Sequence, residues 1–329
     1  MNIEKFQNHL SQQWQKLISQ TALDKDYDKS GGITHVHDIF SFITNYKKLL
    51  GLEINTSDNQ ENLEDLIPKA KNWKIKVVHN KIVMELYNED YKEIFISIIN
   101  KIISKIFLEK KIGNDAIKSF LGHLNNHKDF FEGEGGPKIL SIEAQIGLFG
   151  EVFFLNEVLS KKIEVTEANN YWTGPYKKYD FTTLKIFLET KTSTLKSNKI
   201  INTTSNQINP NQEKPLFLVF LNLNESNKGI NLNDLINEFR NKLIKSSLES
   251  LNDFNLKLLK VGYHETHSEN YTKNYEVKLI NYFYISKDFP HIENILKPEA
   301  IEDLKINYKI NLDKCSNFLI NENNFLSKI

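Results

Sequence analysis

The spacing of apolar residues in the first third of the chain predicts both helices and strands. Apolar residues recur every three or four positions over residues 3–22, which is typical of a helix with one buried face. Over residues 73–87 they alternate with polar residues on either side of Asn80, and this pattern predicts two strands joined by a turn. Helical spacing returns over residues 91–108. We therefore predict an α+β region over residues 1–135.

A turn-rich segment, FEGEGGPK at residues 131–138, separates this region from the rest of the chain. Clusters of glycine and proline interrupt regular structure, so we predict a second domain over residues 136–329. Within it, the continuous apolar run PLFLVFLNL at residues 215–223 is typical of a central strand that is buried on both faces. Further predicted elements are a helix over 232–248 and strands over 163–165, 274–285 and 306–312.

The helix predicted over residues 140–160 is apolar on nearly all sides. One carboxylate, Glu151, lies within its second apolar face, away from the polar edge. A buried carboxylate without a partner is costly or becomes protonated, so Glu151 requires a metal ion, a lysine or strong hydrogen-bond donors such as backbone amides. Gly147 and Gly150 each weaken a helix by about 1 kcal/mol, and we expect both to let a sheet pack closely.

Asp180, Glu189 and Lys191 are the strongest candidates for chemistry, within the segment DFTTLKIFLETK. If this segment folds as a hairpin with its turn between Leu184 and Lys185, Asp180 and Glu189 lie opposite each other. Side chains alternate along a strand, so Glu189 and Lys191 share one face. Two carboxylates that lie this close repel each other, and a bound cation such as Mg²⁺ would remove that repulsion.

The spacing alone leaves a second interpretation open, because Glu-x-Lys also occurs at Glu109–Lys111 and Glu276–Lys278. The copy at Glu276 lies in a strand-like run but has no aspartate upstream at hairpin distance. The carboxylates of residues 180–191 could equally form ordinary ion pairs with lysines. Local charge favours an active site, because residues 161–199 hold eight lysines against four acidic residues, a net charge of +4. Such a surplus suits contact with phosphates.

Composition narrows the class of protein further. The 329 residues include 42 lysines and arginines and 42 acidic residues, so the chain lacks the overall positive charge common in nucleic-acid binders. Cys315 is the single cysteine, which excludes an internal disulfide and fits a reducing cytoplasm. No segment approaches the ~20 apolar residues of a membrane span. His264 and His267 fall in a polar loop, where we expect exposure to solvent rather than metal binding.

Four pieces of sequence occur in one order: GLFGE, WTGP, the segment from Asp180 to Lys191, and PLFLVFL. This order resembles the bacterial PD-(D/E)XK motif proteins, within the restriction-endonuclease-like nuclease superfamily. The resemblance extends through VGY, DFP and INYKINLDKC, and so covers most of the chain beyond about residue 140. Tyr179 replaces the proline of the motif, a change that is common in the superfamily and leaves the chemistry intact.

The resemblance implies an α+β or α/β fold with an αβββαβ core. In this core the Glu151 helix comes first, followed by three strands that include the hairpin, then a helix and the PLFLVFL strand. The resemblance also implies a DNA endonuclease that depends on Mg²⁺, with Mn²⁺ as a substitute. Asp180 and Glu189 would bind the metal ion, and Glu151 would complete the site directly or through water. Lys191 would position or activate the attacking water, and Gln207 matches a glutamine found in some relatives.

The same resemblance implies a role in bacterial restriction or anti-phage defence, with DNA as the partner. Further subunits or a homodimer are compatible with it, and no membrane is involved. The alternative is a non-catalytic subunit that uses a nuclease fold to bind DNA or to assemble a complex. The four polar positions Glu151, Asp180, Glu189 and Lys191 are intact, which favours catalysis. The neutral overall charge is compatible with a partner that supplies the affinity for DNA.

Overall fold

The computed structural model describes residues 3–23, 33–37, 39–44, 47, 49–56, 63–78, 81–131, 138–174, 177–194, 199–292 and 306–329. The chain divides into two compact units, Met1–Lys138 and Ile139–Ile329. The predicted boundary at residues 135 and 136 lies outside the described residues, so the division into two domains there stays a prediction. No helix in the described ranges is long and apolar enough to cross a membrane.

The N-terminal unit combines helices with an antiparallel sheet. The helices are α1 (Ile3–Leu23), α2 (Lys92–Leu108) and α3 (Gly113–Asn125). The strands are β1 (Ile33–His35), β2 (Phe40–Thr44), β3 (Leu50–Asn55), β4 (Trp73–Val78) and β5 (Lys81–Leu86), in the sheet order β1-β2-β3-β5-β4. Trp14 of α1 stacks on Phe42 of β2 with ring centroids 3.6 Å apart, and its indole donates to Asn100 of α2 at 2.9 Å. These contacts join helices to sheet and confirm the predicted α+β character of this region.

The C-terminal unit combines helices with a mixed sheet and a separate two-stranded ribbon. The helices are α4 (Ile142–Phe153), α5 (Ser160–Lys162), α6 (Val165–Tyr171), α7 (Leu232–Ser246), α8 (Leu248–Val261) and α9 (Glu322–Leu326). The strands are β6 (Phe181–Thr182), β7 (Phe187–Ser193), β8 (Ile200–Thr204), β9 (Leu216–Ile230), β10 (Tyr275–Ile285), β11 (Asn307–Asn311) and β12 (Leu319–Ile320). The sheet order is β12-β10-β9-β7-β6, with β7 and β9 parallel, and the ribbon pairs β8 with β11.

Strand β9 is buried on both faces, as its apolar run predicts. Alternate residues face two separate hydrophobic clusters: Phe217, Val219 and Leu221 on one side, Leu216, Leu218 and Phe220 on the other. Full burial of side chains of this size stabilises the fold by roughly 1.5–3 kcal/mol each. The strand therefore holds its parallel neighbour β7, which carries Glu189 and Lys191, in a fixed position.

The predicted class of mixed α and β structure is confirmed, but two predicted elements are wrong. Residues 163–165 do not form a strand, because Val165 begins helix α6. Three residues of apolar alternation are too short to distinguish a strand from the first turn of a helix. No helix lies between β7 and β9 in the described residues 199–215, which hold β8 and turns. The β-branched sequence IINTT of β8 favours a strand, and β11 supplies its backbone partners.

Helix α4 begins at the predicted cap and packs against β7. Ser141 accepts a hydrogen bond from a backbone N–H of the first turn at 3.2 Å. At Gly150 the strand lies so close that an added Cβ would overlap Thr192 Oγ1 and lie 3.0 Å from Thr192 Cβ. The predicted close packing is therefore confirmed for Gly150. It is wrong for Gly147, where an added Cβ would meet nothing within 4 Å.

The predicted exposure of His264 is also wrong. The residue follows α8, and only 5 % of it is exposed. Burial, and then the charge of His267, whose ring lies 6.0 Å away, together lower the pKa of His264 to about 4. His264 is therefore neutral in the folded protein at pH 7. Its polar neighbours in sequence gave no sign of this burial, which depends on tertiary packing.

Acidification should weaken the C-terminal unit through His264. A histidine in an unfolded chain has a pKa of about 6.5, so the unfolded state takes up a proton first as the pH falls. Stability from neutral His264 is fully present above about pH 6.5 and is lost as the pH falls towards 4, by about 2 kcal/mol at pH 5. Amide hydrogen exchange of β10 at pH 7 and pH 5, corrected for intrinsic rates, measures the loss. Between pH 7 and pH 5, the amides of β10 should lose less protection from exchange in His264→Gln than in wild type. Equal losses in the two proteins would contradict the prediction.

Candidate active site

The segment from Asp180 to Lys191 forms the predicted hairpin. Phe181 pairs with Leu188 in antiparallel register, so the same register places Asp180 opposite Glu189. The turn is closed by the Thr183 backbone N–H, which donates to Ile186 O at 3.0 Å. The Thr183 hydroxyl also accepts the N–H of Ile186 at 3.0 Å, which fixes the turn from its side chain. The hairpin is therefore confirmed, with its turn where the sequence predicts it.

The Asp180 carboxylate is held at the edge of β7. Its Oδ2 accepts hydrogen bonds from the Thr190 backbone N–H at 2.7 Å and from the Thr190 hydroxyl at 2.6 Å. Its own carbonyl accepts the Thr173 N–H at 2.9 Å, which anchors the chain just before β6. Desolvation raises the pKa of Asp180, and the two Thr190 bonds oppose that rise because they stabilise the ionised form. Asp180 is thus oriented by protein contacts alone.

Glu189 is the most deeply buried carboxylate of the candidate site. Its side chain is 1 % exposed, and Lys191 Nζ lies 2.7 Å from its Oε1 as an ion pair. The other carboxylate oxygen of Glu189, Oε2, has no hydrogen-bond partner among the described residues. Burial, and then the charge of Asp180, raise the pKa of Glu189 to about 8, although Lys191 and Lys178 oppose the rise. A cation at this carboxylate would stabilise its ionised form.

Glu151 joins the same group of carboxylates from helix α4. The Trp172 indole donates to its Oε2 at 2.9 Å, which supplies the strong donor that its position in the helix requires. The pKa of Glu151 is raised well above its usual range, first by desolvation and then by the charge of Asp180. Glu189 adds to the rise, whereas Trp172 and Lys191 oppose it. The three carboxylates are therefore close enough to influence one another's charge.

Gln207 contacts the site through Lys191. Lys191 Nζ donates to Gln207 Oε1 at 3.3 Å. The turn after β8 fixes the position of Gln207, because its backbone N–H donates to the carbonyl and the hydroxyl of Thr204 at 3.1 and 3.2 Å. The five predicted site residues thus lie in one connected cluster. Their roles stay predictions.

The carboxylate oxygens of this cluster are suitable ligands for a divalent cation, but they do not lie close enough together to bind one. Carboxylate oxygens are the ligands that Mg²⁺ prefers, and buried Glu189, whose Oε2 has no hydrogen-bond partner among the described residues, fits such an ion. Within the described residues, however, no three histidine, cysteine, aspartate or glutamate side chains converge closely enough to hold one. The ammonium of Lys191 supplies the positive charge next to Glu189. Metal binding would require the carboxylates to draw together.

Three residues of the site were missed by the analysis of the sequence. Trp172 binds Glu151, Thr190 binds Asp180, and Lys178 lowers the pKa of Glu189. Trp172 lies in the WTGP piece of the resemblance, which was the available signal for it. Thr190 gave no such signal, because alternation places it on the face of β7 opposite Glu189.

Comparison with known families identifies the class of protein that carries this site. A family model described as "Putative PD-(D/E)XK family member, (DUF4420)" matches residues 10–313. The chain belongs to this family. Membership in the PD-(D/E)XK family agrees with the nuclease-like fold of the C-terminal unit, and PD-(D/E)XK nucleases typically use divalent metal ions. The match also includes most of the N-terminal unit. Comparisons with curated proteins and with solved structures give no match.

Proposed function

We propose that this PD-(D/E)XK family member is a Mg²⁺-dependent endonuclease that hydrolyses phosphodiester bonds of DNA. The observation that carries the proposal is Glu189, a buried carboxylate that lies near two others, Asp180 and Glu151, so that the single positive charge of Lys191 offsets only part of their combined negative charge. Such a group is costly unless a cation neutralises it. Its position beside Lys191 and near Asp180 supports a metal-dependent hydrolase, with Mn²⁺ as a substitute for Mg²⁺.

Each residue of the cluster has a distinct proposed role. Asp180 and Glu189 bind the metal ion, and Glu151 completes the ligand set directly or through water. When bound, Mg²⁺ offsets the negative charge that builds up on the phosphate during hydrolysis. Lys191 Nζ lies between Glu189 and Gln207, so it can release Glu189 and hold the attacking water while Gln207 keeps it oriented. Thr190 holds Asp180 in place before substrate arrives.

Local charge supports DNA as the substrate. Lysines outnumber acidic residues in the segment 161–199, which contains Asp180, Glu189 and Lys191, in a chain that is neutral overall. Lysine–phosphate contacts supply sequence-independent affinity that weakens as the salt concentration rises. We propose that this affinity serves restriction or anti-phage defence in the bacterial cytoplasm. The protein would act as a homodimer or with further subunits.

The cleavage experiment compares wild type with Asp180→Asn and Glu189→Gln, which keep the side-chain size and remove the charge. Supercoiled, linear and single-stranded DNA are incubated with Mg²⁺, with Mn²⁺ or with a chelator. We expect cleavage by wild type only when metal is present, and strong losses in both variants. The matched control is Glu276→Gln, at the Glu-x-Lys pair of β10, which should cleave like wild type. DNA binding without cleavage by wild type would favour the non-catalytic subunit.

Metal binding should also stabilise the folded protein. An ion that binds only the folded state raises the free energy of unfolding by about 1.4 kcal/mol when its concentration is ten times its Kd. Thermal unfolding of wild type should therefore shift upwards when Mg²⁺ or Mn²⁺ is added at millimolar concentration. Glu189→Gln should lose the shift, whereas Glu276→Gln should keep it. A wild-type transition unmoved by either metal would contradict the metal site.

A further inference from the structure

The ribbon formed by β8 and β11 has two faces of different chemistry. Ile201 and Ile310 pair across it and are buried in a hydrophobic cluster. The opposite face presents Asn202, Asn307 and Lys309, which are all exposed. Neither strand contains an acidic residue. The outer face is therefore rich in amides and carries only positive charge.

This ribbon is directly connected to the proposed active site. Strand β8 ends at Thr204, whose carbonyl and hydroxyl fix the backbone of Gln207. The side chain of Gln207 in turn accepts a hydrogen bond from Lys191 at 3.3 Å. A cavity of about 330 Å³ lies at this junction and is lined by residues that include Gln207, Asn202 and Asn307. A DNA duplex held at Lys191 would therefore lie beside the ribbon.

We propose that the ribbon reads base edges in the major groove of the DNA that the site cleaves, which rests on the proposed function. The major groove of B-form DNA admits a two-stranded β-ribbon, and asparagine or glutamine amides form paired hydrogen bonds with adenine. Asn202 and Asn307 are diagonal neighbours in the register of the ribbon, so they lie about 7–8 Å apart. That separation corresponds to about two base-pair steps of 3.4 Å.

The other polar residues of the ribbon have different roles. Asn311 caps the helical turn after β11 by accepting the Asp313 N–H at 3.0 Å, so its amide oxygen is occupied. Thr204 holds the turn that positions Gln207. Lys309 lies directly opposite Asn202 and supplies a positive charge for a phosphate of the same duplex. Base reading is therefore assigned to Asn202 and Asn307, and backbone contact to Lys309.

The test is selection of bound sequences from a random duplex library in Mg²⁺, with Lys191→Ala as the parent so that DNA is retained uncut. Among the duplexes that the parent binds, particular bases should be enriched at two positions that lie about two base pairs apart. Adding Asn202→Ala and Asn307→Ala should reduce that enrichment roughly tenfold or more, because each amide–base pair contributes discrimination of this size. Asn241→Ala, at an exposed asparagine of α7, should leave the profile unchanged. Lys309→Ala should weaken binding to all sequences alike. It should also reduce, by about one, the steepness with which the logarithm of the DNA-binding constant falls with the logarithm of the salt concentration.

Failure of this inference is distinguishable from failure of the proposed function. An unchanged profile in the double variant, or no enrichment by the parent, overturns base reading by the ribbon even if wild type cleaves DNA. A profile that depends on Asn202 and Asn307, in a protein whose wild type cleaves no DNA, supports the ribbon and overturns the nuclease. Urea unfolding of the double variant should match the parent, because both asparagines are exposed.

Discussion

Lys191→Ala should slow DNA cleavage about 10³-fold while the protein stays folded. The ammonium lies 2.7 Å from Glu189 Oε1 and 3.3 Å from Gln207 Oε1, beside the proposed metal ligands. Its proposed role is to hold the attacking water and to offset charge in the transition state. Loss of about 4 kcal/mol of such stabilisation corresponds to that change in rate. Single-turnover rates at saturating Mg²⁺ are the appropriate measurement, because they separate hydrolysis from product release.

The chain contains a matched control for this variant. Lys278 pairs with Glu276 at 2.6 Å on β10, with the same Glu-x-Lys spacing but at the surface. Lys278→Ala removes the same charge from the same protein and should change the rate by no more than about twofold, as expected for a surface ion pair. Equal slowing by both variants would assign the effect to net charge and DNA affinity. Wild-type cleavage in Lys191→Ala would remove Lys191 from the mechanism.

Substitution of Asp180, unlike substitution of Lys191, should impair metal binding as well as cleavage. Asp180→Ala removes a proposed metal ligand, so it should lower metal affinity as well as the rate of cleavage. Affinity for DNA should survive either substitution within a few fold, because other lysine–phosphate contacts supply it. Metal titrations and DNA-binding curves for the two variants check this contrast. Equal metal affinity in wild type and Asp180→Ala would place the ion elsewhere.

The hairpin and the central strand could be predicted because their signals are local. Alternation and a short turn set the register that places Asp180 opposite Glu189. Six consecutive apolar residues, 216–221, indicated burial of both faces of β9. The cap at Ser141 and the narrow polar edge likewise indicated a buried helix around Glu151. Each signal depends on residues that lie close together in sequence.

The rest of the site could not be predicted, because it depends on contacts between distant elements. Trp172 reaches Glu151 from 21 residues away, on a different element. Asp180 lies one residue before β6, so strand alternation does not fix its side chain, and Thr190 orients it instead. Helix α8 was missed even though local signals existed, a Ser247 cap at its start and Gly262 with a φ of 93° at its end.

Gly150→Ala should destabilise the C-terminal unit by about 3 kcal/mol, the upper end of the usual cost of overpacking. The new Cβ would overlap Thr192 Oγ1 and lie 3.0 Å from Thr192 Cβ. A change of rotamer moves the hydroxyl but not the Cβ, so helix α4 and strand β7 must separate. Gly147→Ala is the matched control on the same helix. Its Cβ meets nothing within 4 Å, so alanine should stabilise the helix by up to about 1 kcal/mol.

The same substitution should also impair cleavage, because Gly150 precedes Glu151 and Thr192 follows Lys191 along the chain. Any separation of α4 from β7 moves Glu151 away from Glu189 and Lys191, which share its electrostatic environment. Thr192→Ala removes the overlapping hydroxyl but keeps the Cβ that lies 3.0 Å from the new methyl group, so the double variant should recover part of the stability and cleavage that Gly150→Ala alone loses. Urea unfolding and cleavage rates of wild type, both single variants and the double variant form a double-mutant cycle that measures this coupling. Additive effects in that cycle would show that the helix and the strand are not coupled through this contact.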